Sequence, residues 1–231
     1  FIILSPIYTK KLNYKLIYLM SLEIVFQIIS ILIPVIFAIT VHEVAHGAVA
    51  RILGDDTAER QGRLTLNPIA HIDPIGTLVL PSVLLYIGGL VFGWAKPVPV
   101  NAYKLRNPKK DMLFVAIAGP IANLLMALLW AFMLFILRSM DVQASSEAVY
   151  IFLITMIQTG VFINLVLMFF NMLPIPPLDG GRVLRSLVND DMSRKIDSIE
   201  PFGIFIVLGL LLIGLLDPMF RAIKFITSIL I

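Results

Sequence analysis

The sequence has no cysteine, few charged residues and only three histidines. Without cysteine there are no disulfide bonds or thiolate ligands, so any metal must be held by histidine and carboxylate side chains. Charged residues make up 14% of the 231 residues, whereas an average soluble domain has about 25%. The excess of basic over acidic residues is also small, with a net charge of +3. This composition argues against a nucleic-acid binder, a disordered chain and a soluble enzyme.

Long apolar runs fill much of the chain instead, since 59% of the residues are hydrophobic. A helix needs about 20 apolar residues to cross the hydrocarbon core of a bilayer. Five stretches lack aspartate, glutamate, lysine and arginine, namely residues 24–42, 74–95, 112–137, 148–178 and 201–216. The sequence therefore predicts an integral membrane protein surrounded by lipid. After the last stretch, Arg221 and Lys224 interrupt apolar residues, which predicts an amphipathic C-terminal segment.

The chain divides into an uncertain N-terminal segment, residues 1–19, and one membrane-embedded domain, residues 20–231. Residues 1–19 carry three lysines in an apolar setting and show no small-residue cleavage site of a signal peptide. They suit an interfacial segment, the tail of a longer protein, or sequence translated upstream of a true start at Met20. We therefore treat them as a segment that need not be native.

Two of the three histidines lie one helical turn apart in the motif His42-Glu43-Val44-Ala45-His46. Residues i and i+4 share one face of a helix, so both imidazoles can reach a single zinc ion. The glutamate between them sits where it can take a proton from metal-bound water. Chance, or a helix end lying in water, would also produce this motif. Because it follows an apolar run, and ionisable groups in membrane helices are costly and usually functional, we favour a metal site.

A second motif, Asn171-Met-Leu-Pro-Ile-Pro-Pro-Leu-Asp179-Gly180-Gly181, ends the fourth apolar stretch. Its prolines break the helix, and broken backbone at membrane depth is tolerated only inside protein or beside a wet cavity. Zinc bound by two histidines needs a third protein ligand and one open position for water. Asp179 is the best candidate for that ligand, although a turn at the membrane exit suits the same residues.

Together these motifs resemble the site-2 protease family of intramembrane zinc metalloproteases. Further similarity lies in Gly119-Pro120-x-x-Asn123 and in the stretch 66–77, so the resemblance covers roughly residues 22–190. The chain shows no PDZ-like insertion or CBS-like extension, as in the compact members of the family. The resemblance implies one zinc ion per chain, with His42, His46 and Asp179 as its ligands and Glu43 as the catalytic base. It also implies that Asn171 orients substrate or stabilises the oxyanion. Asn123 and Gly180 are the candidates for substrate binding.

The resemblance implies a zinc-dependent endopeptidase that cleaves membrane proteins in or near their transmembrane segments. Two alternatives stay open, an inactive relative that binds membrane helices and a transporter that carries metal or other ions. The presence of Glu43 disfavours the first, and the concentration of polar residues at one point disfavours the second. His71, the third histidine, precedes Asp73-Pro74 in a loop and is interpreted as structural.

The predicted fold is an all-α polytopic membrane protein with about four transmembrane helices, short β-strands at 62–68 and a re-entrant hairpin at 74–95. Asp179 can meet the histidine pair only if residues 24–42 and 148–178 form helices that run in the same direction. An even number of crossings then separates their ends, so residues 74–95 enter the membrane without crossing it. Breaks at Pro81 and Gly88-Gly89 would form that hairpin.

The distribution of basic residues predicts the orientation in the membrane. Residues 96–111 contain five basic residues and one acidic residue, whereas residues 138–147 contain one basic and two acidic residues. Because cytoplasmic loops carry the excess of lysine and arginine, residues 96–111 are predicted to be cytoplasmic. This prediction places the active site toward the cytoplasmic side of a prokaryotic cell membrane.

Overall fold

The computed structural model describes the backbone of residues 6–86, 93–140 and 147–231. Within these ranges the chain is helical, with short 3₁₀ turns and no β-strand. The α-helices are α1 Pro6–Ile52, α2 Thr57–Arg60, α3 Leu80–Tyr86, α4 Pro108–Ser139, α5 Glu147–Asn171, α6 Asp179–Leu187, α7 Asp190–Ile199, α8 Gly203–Leu212 and α9 Asp217–Leu230. The predicted helical class is therefore confirmed for the described residues.

Three helices are long and apolar enough to cross a membrane: Ile24–Ile52 of α1, and the whole of α4 and α5. Only 22%, 33% and 28% of their most apolar windows are buried inside the protein. Most of their apolar side chains therefore face outward, as expected for helices in lipid. The segments Asp190–Leu212 and Asp217–Leu230 meet at 75° and add a fourth span only if the bent pair counts as one.

Polar contacts show that α4 runs antiparallel to both α1 and α5. On α1, His46 contacts Val115 of α4, whereas the earlier residue Ala38 contacts the later residue Asn123. Asn123 also bonds Asn164 of α5, and a side chain on the earlier Gly160 would meet the later Trp130. Helices α1 and α5 therefore run in the same direction, as the sequence predicted.

The chain between α1 and α4 leaves and returns at the same end of the bundle. The backbone N–H of Arg106 donates to the carbonyl of Leu53 over 3.1 Å, which joins the two ends of this excursion. Inside it, the N–H of Trp94 donates to Gly76 O over 3.1 Å. The two ends of the apolar stretch 74–95 are therefore hydrogen-bonded to each other. Its first half forms a π-helical turn, Pro74–Val79, followed directly by α3, whereas Gly88 and Gly89 lie outside the described residues.

The prediction of short β-strands at residues 62–68 is wrong. Gly62 has a φ of 64°, and Asn67 caps a 3₁₀ turn that begins at Pro68, which has no N–H to give to a strand. The carbonyls of Lys96 and Pro97 accept hydrogen bonds from the Arg63 side chain and not from a neighbouring strand. Side-chain hydrogen bonds thus replace the ladder of a sheet.

The hydrophobic core packs α4 against α5 and α9. Its buried members are Ala127, Trp130, Leu134, Leu137, Ile157, Val161, Leu165 and Ile223. On α9, Ile223 and Thr227 face this core, while Arg221 and Lys224 are exposed, which is an amphipathic pattern. The core occupies the later turns of α4, so its earlier turns are free to build a polar site against α1.

Candidate metal centre

Three side chains from distant parts of the chain converge between α1 and the start of α6. His42 and His46 are both buried on α1, and their Nε2 atoms lie 3.0 Å apart. Asp179, the first residue of α6, is buried too, and its Oδ2 lies 3.2 Å from each Nε2. The two sequence motifs therefore meet at one point.

The opposite nitrogens of the two imidazoles are held by acceptors, and this determines where their protons lie. His46 Nδ1 lies 2.7 Å from the backbone oxygen of Val115, which can only accept. His42 Nδ1 lies 2.5 Å from Asn123 Oδ1. Each Nδ1 therefore carries a hydrogen, and in the neutral imidazoles each Nε2 presents a lone pair toward the other and toward Asp179.

This arrangement of lone pairs fits a divalent metal. Asp179 Oδ2 is fully buried and accepts no hydrogen bond of normal geometry from the described residues. Two nitrogen lone pairs and a carboxylate oxygen at such short range would repel unless a cation lay between them. Around tetrahedral zinc, ligand atoms about 2.0–2.2 Å from the metal lie roughly 3.3 Å from one another. The observed separations of 3.0 and 3.2 Å are close to that value.

The space for a metal exists because α4 presents a glycine to the histidine pair. A Cβ atom added to Gly119 would lie 2.4 Å from His46 Nε2 and 2.7 Å from His42 Nε2. Real Cβ atoms essentially never come this close. Any side chain at position 119 would therefore collide with both candidate imidazole ligands.

A proline-rich loop and two glycines place Asp179 at the start of α6. The loop follows α5, and its Pro176-Pro177 peptide bond is cis. A Cβ on Gly180 would lie 2.3 Å from Leu173 O, and one on Gly181 would lie 2.4 Å from Pro176 N. The first turn of α6 thus packs directly on the loop backbone. This contact gives Gly180 a packing role, and its predicted role in substrate binding stays a prediction.

Glu43 is half-buried beside the histidine pair, and its carboxylate is held from outside α1. Its Oε2 accepts a hydrogen bond of 2.7 Å from the backbone N–H of Val98. Val98 lies just after the apolar stretch 74–95, in a segment without regular secondary structure. The segment that returns from that stretch therefore positions the candidate base.

Asn123, Asn171 and His71 lie outside the three-residue cluster. Asn123 is fully buried behind His42, where it bonds the imidazole. Asn171 is half-buried at the end of α5 and donates to Leu167 O of its own helix over 3.0 Å. Among the described hydrogen bonds, none joins Asn171 to the three candidate ligands. His71 is buried outside the cluster, with Nε2 2.9 Å from Thr65 O.

The sequence interpretation missed Asn164, a buried polar residue that adjoins the site. Asn164 of α5 is 0% exposed and hydrogen-bonded to Asn123. The available signal was an asparagine within an apolar run, which is costly in lipid unless it has a partner. That partner lies 41 residues earlier in the sequence, so local reasoning could not identify it.

A cleft of about 280 Å³ opens between the segment 98–102 and α6. Its lining includes Val98, whose N–H holds Glu43, and Arg182, whose Nη1 lies 4.0 Å from Asp179 Oδ1. Pro176 and Pro177 form another part of its wall. The cleft therefore lies against the segment that hydrogen-bonds the candidate base and against the helix that carries the candidate carboxylate ligand.

A candidate site of two histidines and an aspartate, placed between membrane-type helices beside a glutamate, defines a membrane-embedded metalloprotease. Residues 30–214 match the model of peptidase family M50, and the chain belongs to that family. It is a zinc-dependent intramembrane protease, as its resemblance to the site-2 proteases implied.

Relatives of this chain bear matching names. YwhC of Bacillus subtilis (strain 168), named a zinc metalloprotease, is 41% identical over 199 residues, which cover 83% of this chain and 86% of YwhC. Rip2 of Mycolicibacterium smegmatis (strain ATCC 700084 / mc(2)155), also named a zinc metalloprotease, is 30% identical over 188 residues, or 80% of this chain and 67% of Rip2. No solved structure matches the chain. The family and these names favour neither a transporter nor an inactive relative.

Proposed function

We propose that His42, His46 and Asp179 bind the zinc ion, one per chain, and that Glu43 is the catalytic base for peptide hydrolysis. The observation that carries this proposal is the convergence of three metal-ligating atoms within 3.2 Å, one of them a buried carboxylate oxygen that accepts no hydrogen bond from the described residues. Two histidines and one carboxylate leave a fourth position of a tetrahedral site open, as catalytic zinc requires.

Zinc, when bound, activates a water molecule and polarises the scissile carbonyl group. The Glu43 carboxylate accepts the proton of the attacking water and passes it to the leaving amine. The Val98 N–H supports this role because it fixes one carboxylate oxygen and leaves the other for the proton. We assign Asn171 the role of orienting substrate or stabilising the oxyanion, because its Nδ2 uses only one hydrogen in the contact with Leu167.

The substrates proposed are transmembrane segments of other membrane proteins. The outward apolar faces of α1, α4 and α5 support this proposal, because they place the site within reach of helices that diffuse in the bilayer. A peptide bond inside a helix is shielded by the helix's own hydrogen bonds, so the substrate must unwind before cleavage. The cleft beside Val98 and Arg182 offers room for an unwound segment.

We further propose that residues 20–231 form one domain, that residues 74–95 are re-entrant, and that the site faces the cytoplasm of a prokaryotic cell. The hydrogen bonds that join the two ends of this stretch support its return to the same side. The five basic residues of 96–111, which adjoin the segment that holds Glu43, support the cytoplasmic orientation.

The substitution Glu43→Gln tests the proposal, because it removes the base and keeps the side-chain volume and the ligands. We expect the purified variant to retain about one zinc per chain and to lose cleavage of a helical substrate by at least a hundredfold. Zinc content by atomic spectroscopy and cleavage by gel analysis are the measurements. In membranes, the variant should accumulate uncleaved single-span proteins relative to the wild type.

The matched control is Glu59→Gln, since Glu59 is an exposed residue that pairs with Arg51 outside the site. Its zinc content and cleavage should equal those of the wild type. Normal cleavage by Glu43→Gln would contradict the assigned base. Zinc flux through wild-type protein without cleavage would support the transporter alternative instead.

A further inference from the structure

Asn164 is a polar residue in the middle of a membrane-type helix. It does not touch the candidate ligands itself but is linked to His42 through one intervening residue. It belongs to α5 and is 0% exposed. A polar side chain at such a position is costly and is retained where it has a buried partner. Its partner is Asn123, which in turn bonds His42.

The hydrogen bonds around Asn164 determine the orientation of both amides. Asn164 Nδ2 donates to Gly160 O over 2.8 Å, so its Oδ1 must face Asn123. Asn123 Nδ2 donates to that Oδ1 over 2.9 Å and to Ala38 O over 3.2 Å. Both N–H groups of Asn123 are thereby used, and its own Oδ1 is left to face His42 Nδ1.

The two histidines differ in how their tautomers are secured. His46 Nδ1 bonds the main-chain oxygen of Val115, which cannot change from acceptor to donor. His42 Nδ1 bonds an amide side chain, which would donate instead of accept if it rotated by half a turn. In that case the proton of His42 would move to Nε2, and the imidazole could not bind a metal.

We propose that Asn164 is a positioning residue for the metal centre, acting through Asn123 to keep the Nε2 lone pair of His42 directed at the zinc. This inference rests on the proposed ligand set. An outer partner that holds a ligand in its tautomer typically contributes ten- to a hundredfold to metal affinity. Here the partner of His42 is the Asn123 amide, which can rotate by half a turn. Asn164 therefore has to fix the orientation of that amide.

The experiment measures zinc affinity by competition with a chelator, and the visible spectrum of the protein loaded with Co²⁺. We expect Asn164→Leu to weaken zinc binding about tenfold or more and to alter the Co²⁺ absorption bands. Asn164→Ala, which removes the acceptor without adding bulk, should give the same loss. Gln158→Leu is the control on the same helix, since it also replaces an amide and should leave both readouts unchanged.

Combining variants separates positioning from general destabilisation. If Asn164 acts through Asn123, then Asn164→Leu should reduce zinc affinity no further once Asn123→Leu is present. A loss that adds fully in the double variant, or a folded Asn164→Leu protein with wild-type affinity and spectrum, would overturn the inference. The variant His42→Gln distinguishes the two proposals. If it binds zinc normally, the ligand set is wrong, and if it alone loses zinc, only the role of Asn164 is wrong.

Discussion

At the scale of single residues, the metal centre depends as much on an absent side chain as on those present. Helix α4 lies so close to the histidine pair that a Cβ atom at Gly119 would clash with the Nε2 atoms of both imidazoles. A glycine inside a helix costs about 1 kcal/mol relative to alanine. Here that cost is offset by the room that a metal and a water molecule need.

We therefore predict that Gly119→Ala abolishes zinc binding and proteolysis, although alanine is the better helix former. The added methyl would lie 2.4 Å from His46 Nε2, and neither imidazole can move aside without losing the hydrogen bond at its Nδ1. Zinc content and cleavage of a helical substrate are the measurements. The control is Gly209→Ala on α8, where a Cβ meets nothing within 4 Å and both readouts should equal those of the wild type. Full zinc occupancy in Gly119→Ala would contradict this account.

The ligand residues were predictable because their signal is local. His42, Glu43 and His46 lie within one helical turn, and Asp179 ends an apolar run beside prolines and glycines. The protonation of the two imidazoles was not predictable, since their acceptors lie 81 and 69 residues away. For the same reason, the sequence could not show that Asn123 bonds His42, and its predicted role in substrate binding stays a prediction.

At the scale of elements, Asp55 joins the turn after α1 to the segment that leads into α4. It is 0% exposed, and its Oδ1 accepts from the N–H and hydroxyl of Thr57, while its Oδ2 accepts from the N–H of Asn101 over 2.6 Å. Burial alone would raise the pKa of Asp55. The hydrogen bonds from Thr57 and Asn101, together with the charge of Lys104, outweigh burial and lower that pKa.

This lowered pKa predicts how stability changes with pH. A carboxyl group whose pKa is lower in the folded state stabilises the protein above its unfolded pKa, about 3.9, and stops doing so as the pH falls through the folded value. We expect Asp55→Asn to lose about 1–3 kcal/mol of stability at pH 7, because an amide nitrogen cannot accept from Asn101. Thermal unfolding in detergent measures both effects.

Asp190→Asn is the control for this prediction, since Asp190 is an exposed partner of Lys109 in an ion pair that contributes little. Below about pH 4, the wild type should lose stability more steeply than Asp55→Asn does. Equal stability of the wild type and Asp55→Asn at neutral pH would show that this carboxylate does not hold the turn.

The elements themselves were predictable where hydrophobicity alone decides them. Helices α1 and α4 contain the predicted apolar stretches 24–42 and 112–137, and α5 covers the stretch 148–178 as far as Asn171, because a long uncharged run has no other stable form in lipid. The strands at 62–68 were predicted wrongly, because side chains make the hydrogen bonds of this region. The Arg63 side chain donates to Lys96 O, and the Asn67 side chain accepts from the N–H of Ile69. The apolar stretch 201–216 is not a single straight helix, because the chain turns at Gly214, where φ is 74°.

At the scale of the whole molecule, the direction of the helices sets the topology. Helices α1 and α5 run in the same direction, and α4 runs antiparallel between them. With this arrangement, Asp179 can reach the histidine pair only if residues 53–107 begin and end on the same side of the membrane. The hydrogen bond between Arg106 and Leu53 closes that excursion at the end of α1. Gln61 and Tyr103, which lie before and after the apolar stretch 74–95, should therefore share one side of the membrane.

Single cysteines test this topology cleanly, because the chain contains none. Gln61→Cys and Tyr103→Cys place thiols at exposed positions on either side of the stretch 74–95, and Met140→Cys places one beyond α4. In spheroplasts, whose inner membrane is intact, we expect a membrane-impermeant maleimide to label only Met140→Cys. In lysed membranes we expect it to label all three variants. The cysteine-free wild type should stay unlabelled throughout. Labelling of Gln61→Cys and Tyr103→Cys from opposite sides would mean that the stretch crosses the membrane. Helix α4 would then start on the other side of the membrane and run parallel to α1, whereas its contacts with Ala38 and His46 make it antiparallel.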